Sequence, residues 1–209
     1  HPGGSTGPLR KELGLGPGPV VLSMRAVRPV YNPLDIARAI PHVLKQAPGA
    51  QFIIRTYAYD ADLWAQFKAI IAREGVSEAV YYVGHLPDET AIAELYRLSD
   101  LAVSVPSSDG MPLSVLEAMA CGTALVLSDI PALPDWIQDQ RDALLVPVGD
   151  FQTLGPAIAR LLEDEPLRRK LADKGVELVQ ERVNREKWMR RYEEIYRRLI
   201  QRQQEIAGT

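Results

Sequence analysis

Two carboxylates, Asp109 and Glu117, flank a Gly110-Met111-Pro112 turn and the start of an apolar segment. Just before them the apolar run Leu101 to Val105 ends in Pro106-Ser107-Ser108. That order predicts strand, polar loop, helix. It sets a helix start, with its free N–H groups, beside two acids at the carboxyl end of a strand. In open α/β sheets, ligands bind at such ends. Free N–H groups attract phosphate, and carboxylates accept hydrogen bonds from sugar hydroxyls. A ligand carrying both phosphate and sugar suits the mixture. The predicted helix, Pro112 to Ala120, is almost wholly apolar apart from Glu117, which predicts burial on most sides. An acid there needs a partner or lines a cleft. A second candidate is the loop Ser23 to Asn32, where Arg25 and Arg28 follow the first apolar run. Two arginines at a strand end can neutralise a pyrophosphate through their forked donors.

The elements that must position these residues alternate along the chain. Strands are expected at Val20 to Met24, Phe52 to Arg55, Ala79 to Val83, Leu101 to Val105, Ala124 to Leu127 and Ala143 to Val146. Helices are expected at Pro33 to Gln46 with Asn32 as N-cap, and at Asp60 to Arg73. Further helices are expected at Asp88 to Leu98, Pro112 to Ala120 and Pro131 to Gln138. Gly122 supplies a left-handed cap after the fourth of these helices. Beyond Gly149-Asp150 the pattern is purely helical, near 151–163, 166–181 and 185–203. Alternation of this kind implies parallel pairing and strands covered on both faces. The expected fold is α/β: a Rossmann-like doubly wound parallel sheet of about six strands with a helical C-terminal tail. Residues 1–8 read as a linker or cloning remnant, 9–183 as the sheet domain and 184–209 as a C-terminal helix. In that tail Trp188, Tyr192, Ile195 and Leu199 recur at helical spacing. The plain reading is a helix packed on its own domain, and the alternative is a helix that crosses to another domain.

Bulk properties narrow the function classes. The 209 residues carry a net charge of −3, which argues against a nucleic-acid binder working through a strongly basic surface. The single cysteine, Cys121, excludes an internal disulfide and a Cys-rich metal site. It suits a reducing compartment, so a cytoplasmic protein, or one at the cytoplasmic face of a membrane, is expected. No apolar run approaches the roughly 18 residues of a membrane span. The three histidines have no metal-ligand spacing, and no protein-bound structural zinc is expected. Cys121 reads as a small buried residue rather than a nucleophile. A Rossmann-type dehydrogenase would need a Gly-rich turn after the first strand, where Met24-Arg25-Ala26-Val27 stands instead.

The stretch from Asp109 to Gly122 resembles the acid-x7-Glu motif of retaining GT-B glycosyltransferases, specifically family 4, the glycosyl transferases group 1. The usual family pattern is Glu-Gly-Phe-Pro-Leu-x-x-x-Glu-Ala-Met-Ala-Cys-Gly. Glu94 to Asp100 and Leu144 to Asp150 resemble the family's flanking segments. The resemblance covers about Leu9 to Leu199, as the C-terminal, donor-binding half of such an enzyme. It implies a nucleotide-sugar-binding domain of an enzyme that moves a hexosyl unit from a nucleotide diphosphate to an acceptor hydroxyl. The donor is a substrate, no metal or other cofactor is implied, and arginine takes the place of a metal at the phosphates. It implies that Glu117 binds the ribose hydroxyls and that Asp109 contacts the donor hexose or steadies charge near its anomeric carbon. Asp109 departs from the family's usual Glu by one methylene. Gly110, Met111, Pro112 and Leu113 would lie against sugar and phosphate, although Pro112 has no N–H to donate.

Arg25 matches the family's diphosphate arginine, whereas no lysine matches its second basic residue, and Arg28 is the candidate substitute. Gly84 and His85, after the third strand, would contact the nucleobase. Gly84 allows close approach, and His85 stacks on the base or is simply an exposed loop histidine. Ser107 and Ser108 could hydrogen-bond donor hydroxyls. The acceptor site would lie on an N-terminal GT-B domain that this chain lacks, toward which the C-terminal helix packs. No nucleic-acid partner is expected, and membrane-surface association of a longer parent stays open. The alternative is a non-catalytic nucleotide-sugar-binding or regulatory module. Base, sugar and acceptor are not legible.

Overall fold

The computed structural model describes residues 7–207 apart from Met111, Ala132 and Asn184. Six strands form one all-parallel sheet: β1 (Val20–Ser23), β2 (Gln51–Arg55), β3 (Val80–Val83), β4 (Leu101–Ser104), β5 (Ala124–Ser128) and β6 (Leu144–Val146). Their spatial order is β3-β2-β1-β4-β5-β6. The order reverses between β1 and β4, so the crevice of a doubly wound sheet opens between the loops that follow these two strands.

Eight α-helices accompany the strands among the described residues: α1 (Gly7–Glu12), α2 (Pro33–Gln46), α3 (Ala61–Arg73), α4 (Glu89–Leu98), α5 (Leu113–Ala120), α6 (Phe151–Glu163), α7 (Glu165–Arg182) and α8 (Arg185–Ala207). Side-chain alternation along the strands makes two cores. Val21, Phe52, Ile54, Leu101 and Val103 pack against α2, α3 and α6. Val20, Leu22, Ile53, Ala102 and Leu125 pack against α4, α5 and α7. The central strands are buried throughout, as parallel strands covered on both faces must be. The edge strand β3 departs from that pattern, with Tyr82 45% exposed.

Aspartate side chains cap the starts of α3, α4, α6 and α7. Asp60 accepts a hydrogen bond from Leu63 N at 2.9 Å, and Asp88 accepts one from Ala91 N at 2.9 Å. Asn32 does not cap in this way. It stands at the start of α2 with a left-handed φ of 47°, and its side chain makes no capping bond. Its Nδ2 instead donates to Val105 O at 2.9 Å, across to the loop after β4. Asn tolerates that backbone region better than most residues. The expected helix at Pro131 to Gln138 is absent, and the described residues there form turns. Leu133 N donates to Ile130 O, and Ile137 N to Pro134 O. Pro131 and Pro134 lack the N–H a helix uses, and buried Asp142 reaches in to accept from Gln138 N at 2.9 Å.

The tail corrects a further expectation. Trp188, Tyr192, Ile195 and Leu199 are 43–56% exposed, so this face of α8 is not packed on its own domain. Trp188 Nε1 does donate to Arg182 O at 2.7 Å, at the end of α7.

Ahead of β1 the chain passes very close to the segment ahead of β2. A Cβ on Gly18 would stand 1.9 Å from Gly49 O and 2.8 Å from Gly49 C. Backbone cannot yield there as a flexible side chain can. Gly18→Ala is expected to cost about 2 kcal/mol, read from the urea unfolding midpoint. An unchanged midpoint would mean that the two segments move apart freely.

Candidate functional site

The loops after β1 and β4 meet across the crevice and are tied together by several bonds. Met24 N donates to Val103 O at 3.4 Å, and Ser107 N donates to Val30 O at 2.8 Å. With the Asn32–Val105 bond, these fix residues 24–32 against residues 103–107. Arg25 and Asp109, far apart in sequence, are thereby brought face to face.

Arg25 Nη2 lies 3.0 Å from Asp109 Oδ2, with the two side chains 13% and 18% exposed. Arg25 Nη1 donates to Ser114 Oγ, in the first turn of α5, at 2.8 Å. The guanidinium carbon sits 4.2 Å from the centroid of the Tyr31 ring, within cation–π range. Three neighbours therefore hold this guanidinium, and a guanidinium has five N–H donors. Asp109 Oδ1 accepts from Gly110 N at 2.8 Å. Asp109 Oδ2 is buried and, although ion-paired with Arg25, accepts no aligned hydrogen bond from the described residues. Arg25 thus holds Asp109 by charge more than by direction.

Helix α5 starts at Leu113, one residue later than expected, with Pro112 at the cap position. Val115, Leu116, Ala118 and Met119 are buried. Leu113, Glu117 and Ala120 form the opposite stripe at helical spacing and are exposed. The helix is thus covered on all but one stripe, as its apolar sequence implies, and the acid lies on that stripe. Its neighbour is Tyr96 of α4, whose phenol donates to Glu117 Oε2 at 3.4 Å. Burial, then the Glu117 charge, pushes the Tyr96 pKa well up, so the phenol keeps its proton and remains a donor. Glu117, Tyr96, Ile92, Ala93 and Cys121 line a hollow of about 280 Å³ between α4 and α5. The Cys121 thiol is buried and its pKa is raised by that burial, as suits a packing residue.

The remaining candidates are placed less closely. Arg28 is exposed and makes no side-chain hydrogen bond or ion pair with the described residues. Gly84 is half-buried and His85 exposed, at the end of β3. A Cβ on Gly84 or on Gly110 would meet nothing within 4 Å. The protein's own packing does not require glycine at either position. Ser108 is exposed, and Ser107 Oγ donates to Val30 O at 3.3 Å. Pro112 is buried, while Leu113, next in sequence to Ser114, is a large apolar side chain 68% exposed. Met111 lies outside the described residues. Among those described, no group of three or more His, Cys, Asp or Glu residues is arranged to hold a metal ion.

Local sequence pattern gives Tyr31, Ser114, Tyr96 and Arg55 no role. Ser114 and Tyr31 hold Arg25, and Tyr96 orients Glu117. The usable signal for Arg55 is a charge closing the apolar run Phe52-Ile53-Ile54. For the others, local pattern carries no signal, since each acts on a residue far away in the chain.

The arrangement gathers, at one sheet edge, a fixed guanidinium, two carboxylates and a helix start. It can meet a diphosphate and hydroxyls together. The same fold occurs in the C-terminal domain of a glycosyl transferase group 1 family protein from Francisella tularensis, with a TM-score of 0.79 and 22% identity over 88% of this chain and 95% of that one. Anabaena Alr3699/HepE, solved in complex with UDP and glucose, gives a TM-score of 0.76 at 20% identity, over 84% of this chain and 47% of that one. Among sequence relatives, the N-acetyl-alpha-D-glucosaminyl L-malate synthase of Bacillus anthracis is 25% identical over 189 residues, 90% of this chain and 48% of that protein. The D-inositol 3-phosphate glycosyltransferase of Nocardia farcinica is 29% identical over 179 residues, 83% of this chain and 39% of that protein. The chain thus spans less than half the length of these two relatives. Its residues 7–177 match the model of the family described as glycosyl transferases group 1, and the chain belongs to that family.

Proposed function

We propose that this chain is the nucleotide-sugar-binding half of a retaining, family 4 glycosyltransferase that moves a hexosyl unit from a nucleoside diphosphate to an acceptor hydroxyl. The observation that carries the proposal is the Arg25–Asp109 pair at the switch point, 3.0 Å apart, with the start of α5 beside it. Arg25 and the first N–H groups of α5 hold the diphosphate, with no metal required. Glu117, steadied by Tyr96, holds the ribose. Gly84 and His85 border the base.

In the reaction the bond between the anomeric carbon and the diphosphate oxygen breaks, and a bond to the acceptor oxygen forms. The acceptor's proton leaves toward the phosphate side. Negative charge builds on the departing diphosphate, where Arg25 stands, and positive charge builds on the sugar, where Asp109 stands. As the diphosphate draws on Arg25, the buried Oδ2 of Asp109 becomes more free to face the sugar. UDP in the Anabaena neighbour's complex supports a nucleotide as ligand. The acceptor site belongs to an N-terminal domain, a reading supported by an apolar face of α8 that the chain itself leaves exposed and that such a domain would cover.

Calorimetric and thermal-shift titration of this chain with UDP-, GDP- and ADP-sugars tests the reading, because ligand binding raises the unfolding temperature by mass action. Binding of at least one donor, without transfer to an acceptor by this chain alone, is expected. No shift with any donor would overturn the reading. Normal turnover by the chain alone would overturn the assignment of the acceptor site to another domain.

A further inference from the structure

One buried charge at the same sheet edge has no task in the reading above. Arg55 ends β2 and is 7% exposed. Alternation along β2 puts it on the face of Ile53, which packs against α4 and α5, and not on the face of Phe52 and Ile54. Tyr96 and Glu117 stand on that side. Register places Arg55 beside Val83, so the Gly84–His85 loop begins one strand away. Thr56 N donates to Val83 O at 2.8 Å and holds the two strand ends together. The Arg55 guanidinium lies 5.0 Å from the Tyr57 ring centroid. Yet no described residue accepts a hydrogen bond from it, and its Nε is buried without a partner. Desolvation weakens its hold on the proton, the Tyr57 and Tyr96 phenols oppose that effect, and a guanidinium stays charged. A buried charged donor is costly unless an acceptor completes it. That acceptor must come from water or from a ligand.

A guanidinium only donates, so its ligand partner must present acceptors. The diphosphate is already assigned to Arg25, which follows β1, while Arg55 lies on the β3 side of β1, toward the Gly84–His85 loop. We propose that Arg55 reads the nucleobase and favours bases with an exocyclic carbonyl, uracil or guanine, over adenine. Adenine presents an exocyclic amine, a donor facing a donor, at the corresponding edge. The proposal rests on the nucleotide-sugar reading and specifies the base for it.

The test is titration calorimetry of UDP, GDP, ADP and inorganic pyrophosphate with the wild-type chain, Arg55→Met and Arg55→Lys. Wild type is expected to bind UDP or GDP about tenfold tighter than ADP, the scale of one good donor pair to a base. In Arg55→Met that ratio falls to within about threefold while pyrophosphate affinity is unchanged, as base recognition alone is lost. Arg55→Lys keeps a donor without the fork and lies between the two, and it stands in if the Met variant does not fold. A wild type that binds ADP as tightly as UDP and GDP overturns the inference, as does a base preference that survives in Arg55→Met. A pyrophosphate affinity that falls in Arg55→Met assigns the residue to phosphate and overturns it too. If pyrophosphate binds but no nucleotide is preferred, the base assignment fails alone. If nothing binds, the nucleotide-sugar reading fails and takes this inference with it.

Discussion

Arg25→Met is expected to weaken binding of a nucleoside diphosphate about a hundredfold, measured by titration calorimetry at fixed ionic strength. A charge-assisted hydrogen bond contributes roughly 1.5–3 kcal/mol, and loss of two such bonds reaches that factor. Methionine keeps the apolar stem, so the change is chiefly one of charge and donors. The same substitution also leaves Asp109 behind, 18% exposed and without its 3.0 Å counterion. A carboxylate stranded in that way costs about 1–3 kcal/mol of stability. Adding Asp109→Asn should recover part of the stability and none of the affinity, since neither side then carries an uncompensated charge. This split separates folding from binding. If affinity falls less than about threefold, Arg25 is a structural partner of Asp109 and the diphosphate binds elsewhere.

For Glu117 the expected result is narrower and is read with two ligands. Glu117→Ala should weaken UDP or GDP binding about tenfold, the scale of a hydrogen bond to a charged group. It should leave a 2′,3′-dideoxy analogue unaffected. In wild type the analogue should bind about tenfold more weakly than the ribonucleotide, and in the variant the two should bind alike. Stability should change by no more than about 0.5 kcal/mol, because the side chain is exposed on the open stripe of α5. Equal losses for both ligands would mean that Glu117 shapes the cleft without touching ribose hydroxyls.

These tests depend on features of different origin. The alternation of apolar runs and helical segments is local, and it determined six parallel strands with their helices at nearly the expected bounds. The acid at the start of α5 and the arginine after β1 were also legible, because each stands where a strand hands over to a loop. Residues 131–138 misled, since their apolar spacing looked helical while Pro131, Pro134 and the side chain of Asp142 set turns instead. Asn32 misled in part, because its amide serves a carbonyl 73 residues away rather than its own helix. In the tail, helical spacing was visible and correct, yet spacing alone does not say whether an apolar face is covered.

Local pattern thus carried the six strands, their parallel pairing, most of the helices and the family to which the chain belongs, because periodicity and motif spacing are properties of neighbouring residues. The folded chain alone shows that Arg25 pairs with Asp109 and rests on Tyr31, that Tyr96 donates to Glu117, and that no described residue accepts a hydrogen bond from Arg55 at the end of β2. It also supplied the partner and the cleft that Glu117 needs, in the Tyr96 phenol and the hollow between α4 and α5. The physical reason is the strand order β3-β2-β1-β4-β5-β6. Reversal between β1 and β4 brings distant loops to one edge, and no short-range pattern encodes which side chains then meet.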